Sequence, residues 1–422
     1  MRDEFNVHDA RPVSRRAQQG RAALPWIALA LLLVVPPCVS SQSWLVAWLA
    51  QTAAMIVFAL SYNLLLGGAG LLSFGHAASS GIGALIAAQL FNRFGLPLPL
   101  LPLIGGIGGA LFGALYGLVA TRRSGTAFAM ITLGIGELVA AAAWTLPDWF
   151  GGEAGVAIDR TAGLAVRGFT FGPAREAYAL IALWCALAVL AMYALSRTPF
   201  MRLAHAVRDN PVRAAAIGCY PRRVRYEVVV WSSFFAGIAG IAGTLGLINV
   251  ELVSTESVGM LRSGSVLIAT VIGGSGVFFG PVVGAVVLTF FSVVVASTTR
   301  AWLLYLGLFF VAVVVSSPDG IAGWIRRQAA RFARDGWRVC LPWLAYRVMS
   351  VCAWTLAVVL GVQWVYAQRF GTEERVSVLS TMNPVWLAAA VLCLAGIGWL
   401  TMNIAARRDR LLSAEVDAGA RP

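Results

Sequence analysis

Apolar runs of about 20 residues recur along almost the whole chain, and no other feature restricts the fold so strongly, because that is the length an α-helix needs to cross a bilayer. The runs fall near residues 24–40, 44–66, 76–91, 98–120, 126–146 and 177–195. After a polar interval they resume near 226–249, 259–274, 278–296, 301–316, 343–365 and 385–404. In hydrocarbon every backbone N–H and C=O has to be satisfied inside the protein, so segments of this kind are helices. The expected fold is an all-α polytopic membrane protein with about 12 transmembrane helices. With 59% hydrophobic and 12% charged residues, little composition remains for a large soluble domain.

The net charge of +13 rests on Arg alone, since no Lys occurs anywhere in the sequence. A nucleic-acid-binding protein gathers its cations on a soluble domain with its own core. Here they lie in loops between apolar runs, which excludes nucleic acid as a partner and points to the lipid bilayer. Arg11, Arg15, Arg16 and Arg21 precede the first run, which puts the N-terminus in the cytoplasm by the positive-inside rule. That start is too polar, and the segment too long, for a cleaved signal peptide. Alternating from there, the cytoplasmic segments are the N-terminal tail, Arg122–Arg123, Ser196–Glu227, Arg326–Arg338 and the tail after Ile404, and they hold most of the Arg. Count and charge bias therefore agree, with both termini cytoplasmic.

The absence of Lys also removes the residue that a P-loop uses to hold nucleotide phosphates, so this chain does not bind ATP by that route. Six Cys are scattered singly and only three His occur, with no metal-ligand spacing. No GxSxG elbow, HExxH or paired acidic motif is present inside the apolar runs. The expectation is a chain that is no enzyme and holds no cofactor or metal.

The longest polar interval, Ser196–Glu227, carries seven Arg against two acids. Within it Asp209 and Asn210 can cap a short helix through Arg213, Ala214, Ala215, Ala216 and Ile217, with Gly218 as its stop. This has the form of a docking element, and its alternative is a solvated basic loop. Elsewhere Gly105, Gly106, Gly108 and Gly109, and Gly237, Gly240, Gly243 and Gly246, allow close helix approach. Gly67–Gly83 and Gly273–Gly284 are too Gly-dense or polar for plain helix. Irregular backbone at membrane depth survives only when buried in protein or lining a cavity, and paired Gly-interrupted segments point to a transport pathway. The pathway candidates are Asn63, Gly75, His76, Gly81, Gly273, Gly274, Ser275 and Gly276; the alternative is a pair of ordinary turns at the cytoplasmic edge. Glu137, an ionisable group inside an apolar run, either joins that pathway or locks two helices together. His76 either bridges a Gly-rich turn or meets the solute.

Five ordered motifs carry a resemblance: NLLLGGAGLLSFGHAASSGIGAL (Asn63–Leu85), FAMITLGIGEL (Phe128–Leu138), GGEAGV (Gly151–Val156), AVRDNPVRAAAIG (Ala206–Gly218) and VIGGSGVFFGPVVGA (Val271–Ala285). Over about residues 44–325 the chain resembles the LivM-type permeases of branched-chain amino acid ABC transporters. Ser79 and Ser80 depart from it, standing where that family commonly carries aromatic residues. The resemblance implies a permease without its own ATPase, working with ATP-binding cassette subunits, a second permease subunit in a heterodimer and a periplasmic binding protein, in a bacterial inner membrane. It implies that Asp209–Gly218 is the coupling helix that docks on the ATPase. It implies a permease core at 24–325 with the coupling loop 196–227, flanked by cytoplasmic tails at 1–23 and 405–422. A basic linker at 326–342 and an added two-helix extension at 343–404 complete the chain. Branched-chain amino acids are the implied solutes, with urea or short amides as relatives' alternatives. A secondary transporter is the rival class, although Glu137 is essentially the only carboxylate it could couple through.

Overall fold

The computed structural model describes residues 15–39, 42–152, 155–158, 173–245, 252–253, 257–335, 337–370 and, with two gaps, 392–404. Both expected tails and the first part of the run at 385–404 lie largely outside the described residues. The chain forms α1 (Arg15–Val39), α2 (Ser43–Asn63) extended by a π-helical turn (Leu64–Ala69), α3 (His76–Phe94), α4 (Leu101–Ala120), α5 (Thr126–Thr145) and a one-turn α6 (Pro147–Phe150). It continues with α7 (Ala174–Ser196), α8 (Pro199–Asp209), α9 (Pro211–Ala216), α10 (Pro221–Leu245) and α11 (Met260–Gly273). Then come α12 (Gly280–Thr289), which also ends in a π-helical turn (Phe290–Val295), α13 (Trp302–Ser316), α14 (Gly320–Asp335) and α15 (Trp337–Phe370). Two two-residue strands, β1 (Val156–Ala157) and β2 (Leu252–Val253), pair antiparallel.

The all-α membrane architecture stands, but the count of twelve is not reproduced. Among the described residues, six helices are each long and apolar enough to cross a bilayer: Ser43–Ala69, Leu98–Ala120, Thr126–Thr145, Ala174–Ser196, Pro221–Leu245 and Leu344–Gln363. A seventh is reached if α13 and Gly320–Phe332, bent by 44°, form one broken span. The expected runs at 24–40, 259–274 and 278–296 appear as shorter apolar helices, Ala23–Val39, Met260–Gly273 and Gly280–Val295. A 14-residue helix such as α11 reaches about 21 Å, short of a hydrocarbon core about 30 Å thick. The remaining shortfall includes α3, where His76, Ser79, Ser80 and Asn92 dilute an otherwise apolar helix.

The chain divides into two compact units, one of Met1–Thr298 with Phe310–Gly323 and one of Thr299–Phe309 with Trp324–Pro422. The first is organised around α10, which is the most enclosed of the long helices, with 83% of its apolar window buried against 33% for α5 and α7. α3 and α4 pack on it with almost no side chain between them. A Cβ on Gly237 would stand 2.0 Å from the Gly105 carbonyl oxygen, and one on Gly83 would stand 2.4 Å from that same oxygen and 2.7 Å from the Gly237 Cα. α2, rich in buried Ala, Leu and Phe, lies across the other side of α10. Aromatic contacts tie α1 and α7 to the α12 entrance, with Trp26 edge-on to both Tyr193 and Phe279 at 5.1 Å.

This packing makes a direct prediction. Gly237→Ala should destabilise the protein by about 1–3 kcal/mol, because the added methyl meets backbone that cannot rotate away. Gly307→Ala, where nothing lies within 4 Å of the new Cβ, should be tolerated. The thermal midpoints of the two purified variants decide it, and equal midpoints would refute the packing account.

In the second unit, Ser350 Oγ on α15 donates to the Gly398 carbonyl at 2.8 Å, and the Trp354 indole covers Gly398. Gln363 Nε2 donates to Thr299 Oγ1 at 3.3 Å. Within the interval 326–342, Arg326–Asp335 belongs to α14 and Trp337–Pro342 begins α15.

Candidate functional site

Two regions collect the residues singled out from the sequence, one at membrane depth and one on the basic interval.

Within the two Gly-dense segments, irregular backbone is confined to Gly70–Gly75 and Gly274–Phe279; from His76 onward, Gly81 included, the first motif is regular helix in α3. Beyond exposed Gly70 the first stretch is largely enclosed, with Leu71, Ser73 and Gly75 buried, as backbone of this kind requires at membrane depth. His76 opens α3 and is completely buried. Its Nε2 lies 3.0 Å from Ser61 Oγ, its ring stacks on Phe58 at 5.3 Å and meets Tyr62 edge-on. Its Nδ1 has no partner. Gly75 faces α5, where a Cβ would lie 2.1 Å from the Thr132 carbonyl oxygen, and at Gly81 a Cβ would strike Val258 at 2.2 Å.

The π-helical end of α2 meets the second irregular segment. A Cβ on Gly67 would stand 2.4 Å from Asn63 Oδ1 and 2.8 Å from the Ser275 carbonyl oxygen. Asn63 Oδ1 is buried without a partner. Gly273 and Gly274, by contrast, are filled by backbone: Gly273 abuts Gly280, and Gly274, at φ +101°, abuts Asp319 and Gly320. Gly276 is exposed, with nothing near it. The candidates are therefore not one lining. Gly75, Gly273 and Gly274 serve close backbone contact, Gly81 makes room for the Val258 side chain, Asn63 and Ser275 flank Gly67, and His76 bridges α2 and α3.

Glu137 is separate from all of these. It lies on the outward face of α5 with Met130, Gly134, Leu138 and Trp144, and among the described residues it locks no helices together.

On the basic interval, Thr198 caps α8, and its Oγ1 accepts from Met201 N at 3.4 Å. Asn210 caps α9, with Oδ1 accepting from Arg213 N at 2.9 Å. Asp209 does not share this role, because it is the last residue of α8; Asn210 in extended conformation followed by Pro211 at the first helical position is a complete start signal by itself. Ala214 is buried against the protein, so the expected Ala214–Ala215–Ala216 surface is reduced to Ala215 and Ala216, beside exposed Arg213. Gly218 ends the helix at φ +86°, with Gly218 N donating to Ala215 O and Cys219 N to Ala214 O. Nothing lies within 4 Å of a Cβ there, so its requirement for Gly is conformational and not one of crowding.

Two features escaped the sequence reading. Val212, Ile217 and Tyr220 are 78%, 74% and 76% exposed, an apolar surface on an otherwise basic element. An open cavity of about 320 Å³ beside it is lined in part by Phe200, Leu203, Ile217 and Tyr220. Val-x₄-Ile across a capped, polar helix was the available signal. The second is Arg208, whose Nη1 donates to the Gly67 carbonyl at 2.5 Å and whose stem crosses Gly70, while Met201 covers Gly68. α8 is thus seated on the π-helical end of α2, close to where Gly67 meets the Ser275 backbone. Arg223 and Glu227 form an exposed i,i+4 ion pair at 3.0 Å, a contact of small energetic weight.

Comparison with known proteins identifies the family. Residues 44–316 match the family described as branched-chain amino acid transport system / permease component. The chain is 28% identical over 324 residues to the high-affinity branched-chain amino acid transport system permease protein LivM of Escherichia coli (strain K12), covering 72% of this chain and 75% of the relative. It is 27% identical over 349 residues to the fructose import permease protein FrcC of Rhizobium meliloti, covering 77% and 92%. No solved structure matches. With the family match spanning most of a helical membrane chain, the protein belongs to the branched-chain amino acid transport system permease family.

Proposed function

We propose that this chain is the inner-membrane permease subunit of an ABC importer and forms the path for branched-chain or related amino acids. Separate ATP-binding cassette subunits bind and hydrolyse ATP, a second permease subunit completes a heterodimer, and a periplasmic binding protein delivers the solute. The core at 24–325 performs transport, the two helices after it are an addition, and both termini are cytoplasmic.

The observation that carries this reading is the exposed Val212, Ile217 and Tyr220 surface on a capped helix set among Arg. Apolar side chains held outward on an Arg-rich, cytoplasmic element suit a protein partner, and the ATPase is the partner that a Lys-free permease needs. Glu137 supports the second subunit. A carboxylate at the centre of a lipid-facing helix is disfavoured by about 2.5–3.5 kcal/mol on insertion scales. The outward face of α5 is therefore read as turned toward the other permease and the path between them.

Fructose is the second reading for the cargo, favoured by the extent of the match to the fructose import permease. Uptake decides between them. Vesicles holding this chain with its partner subunits and binding protein should accumulate labelled leucine in an ATP-dependent way and leave fructose outside. Accumulation of fructose alone would replace the amino-acid reading, and uptake by this chain without ATPase subunits would overturn the importer.

A further inference from the structure

Arg262 stands in the first turn of α11, inside the helical bundle, and is not used by any contact described so far. Its Nε is buried with no hydrogen-bond partner, and among the described residues it forms no ion pair. Its guanidinium carbon lies 5.8 Å from the centre of the Phe58 ring. Its Nη2 lies against α10, 3.1 Å from where a Cβ on Gly243 would be. One turn earlier on the same face of α10, Ser80 Oγ lies 2.8 Å from where a Cβ on Gly240 would be. Ser80 is 1% exposed, and its Oγ is also without a partner.

The surroundings add positive potential. Ser263 Oγ accepts from Ala77 N at 3.0 Å, so the first turns of α3 and α11 converge, and both helices present their positive ends there. A cation in the first turn of a helix, inside a membrane bundle and with no counter-ion among the described residues, is unfavourable for folding on each of those counts. An anionic ligand removes the conflict.

We propose that Arg262 and Ser80, on the Gly240–Gly243 face of α10, form an anion site that takes the carboxylate of the transported solute. The guanidinium fork supplies paired charge-assisted hydrogen bonds to a carboxylate, and the Ser80 hydroxyl supplies a third donor. This rests on the amino-acid reading and sharpens it, since the neutral groups of a sugar have no need of an unpaired guanidinium.

The test uses the purified full-length chain and two probes of equal shape, 4-methylpentanoate and its uncharged amide. The carboxylate should raise the thermal midpoint in a concentration-dependent way and the amide should not. Arg262→Gln should lose that response and Arg262→Lys should keep part of it. In the assembled importer Arg262→Gln should raise the KM for leucine about tenfold or more, as expected for losing a charge-assisted pair. If Arg262→Gln fails to fold, the wild-type comparison of the two probes still decides. Equal stabilisation by both probes, or by neither, overturns the site. Leucine uptake persisting in that case leaves the amino-acid reading intact, whereas uptake of fructose in place of leucine overturns that reading itself.

Discussion

Replacing Val212 and Ile217 together with Glu should leave the protein inserted at normal abundance while the ATPase subunits no longer co-purify and uptake falls to background. Both side chains project from the α9 element, at 78% and 74% exposure, and neither touches the bundle interior, so the fold has no stake in them. An apolar anchor at the centre of a protein interface commonly carries 2 kcal/mol or more, which corresponds to roughly thirtyfold in affinity per residue. Two buried carboxylates would deepen the loss, because desolvated charges without partners are strongly disfavoured. Ala214→Glu is the instructive contrast. That residue is buried against the protein, so the substitution should lower abundance itself. Wild-type uptake by the Val212/Ile217 double variant, with the ATPase still bound, would remove the docking assignment.

Arg208→Ala should give the complementary phenotype: the ATPase stays bound and hydrolyses ATP, but little solute crosses per ATP consumed. Docking and transmission occupy different residues here. Arg208 reaches from α8 to the Gly67 carbonyl at the π-helical end of α2, and Gly67 in turn lies against the Ser275 backbone. A hydrogen bond from a charged donor is worth about 1.5–3 kcal/mol, enough to decide whether a displacement of α8 is passed to α2. Arg208→Lys retains the charge but not the planar fork, and should recover only part of the coupling. The measurement is the ratio of leucine taken up to ATP hydrolysed in reconstituted vesicles. An unchanged ratio in Arg208→Ala would mean that force reaches the bundle elsewhere.

The reach of the sequence can be traced residue by residue. Long uniform helices such as α4, α5, α7 and α10 were legible because length and apolarity suffice for them. The short α11 and α12 have the sequence pattern of full spans, because apolar runs separated by a few Gly look alike whether they cross or stop midway. Asn210 followed by Pro211 is a complete helix start in two residues, yet Asp209 competes with it until the backbone shows which residue is extended. The direction of Glu137 was not legible at all. α5 is apolar around its whole circumference, so nothing in its pattern says which side meets the bundle. Gly218 was legible as a necessary Gly, but the reason was not: an open surface with φ +86° and a crowded one demand the same residue. Arg262 was hidden by its neighbours, since one Arg at the edge of an apolar run reads as a helix end near the headgroups.

The meeting of Gly83, Gly105 and Gly237 also bears on how the molecule can move. Side chains between helices act as bearings: they change rotamer and let one cylinder slide or roll over the next. α3, α4 and α10 have no such layer where they cross, so backbone would strike backbone after a displacement of a few tenths of an ångström. These three helices travel as one block. Any alternation between outward-open and inward-open states must then be produced at their periphery, and the outer elements of the first unit with least of their surface held in the bundle, α5 and α7, are where the hinges and sliding faces belong.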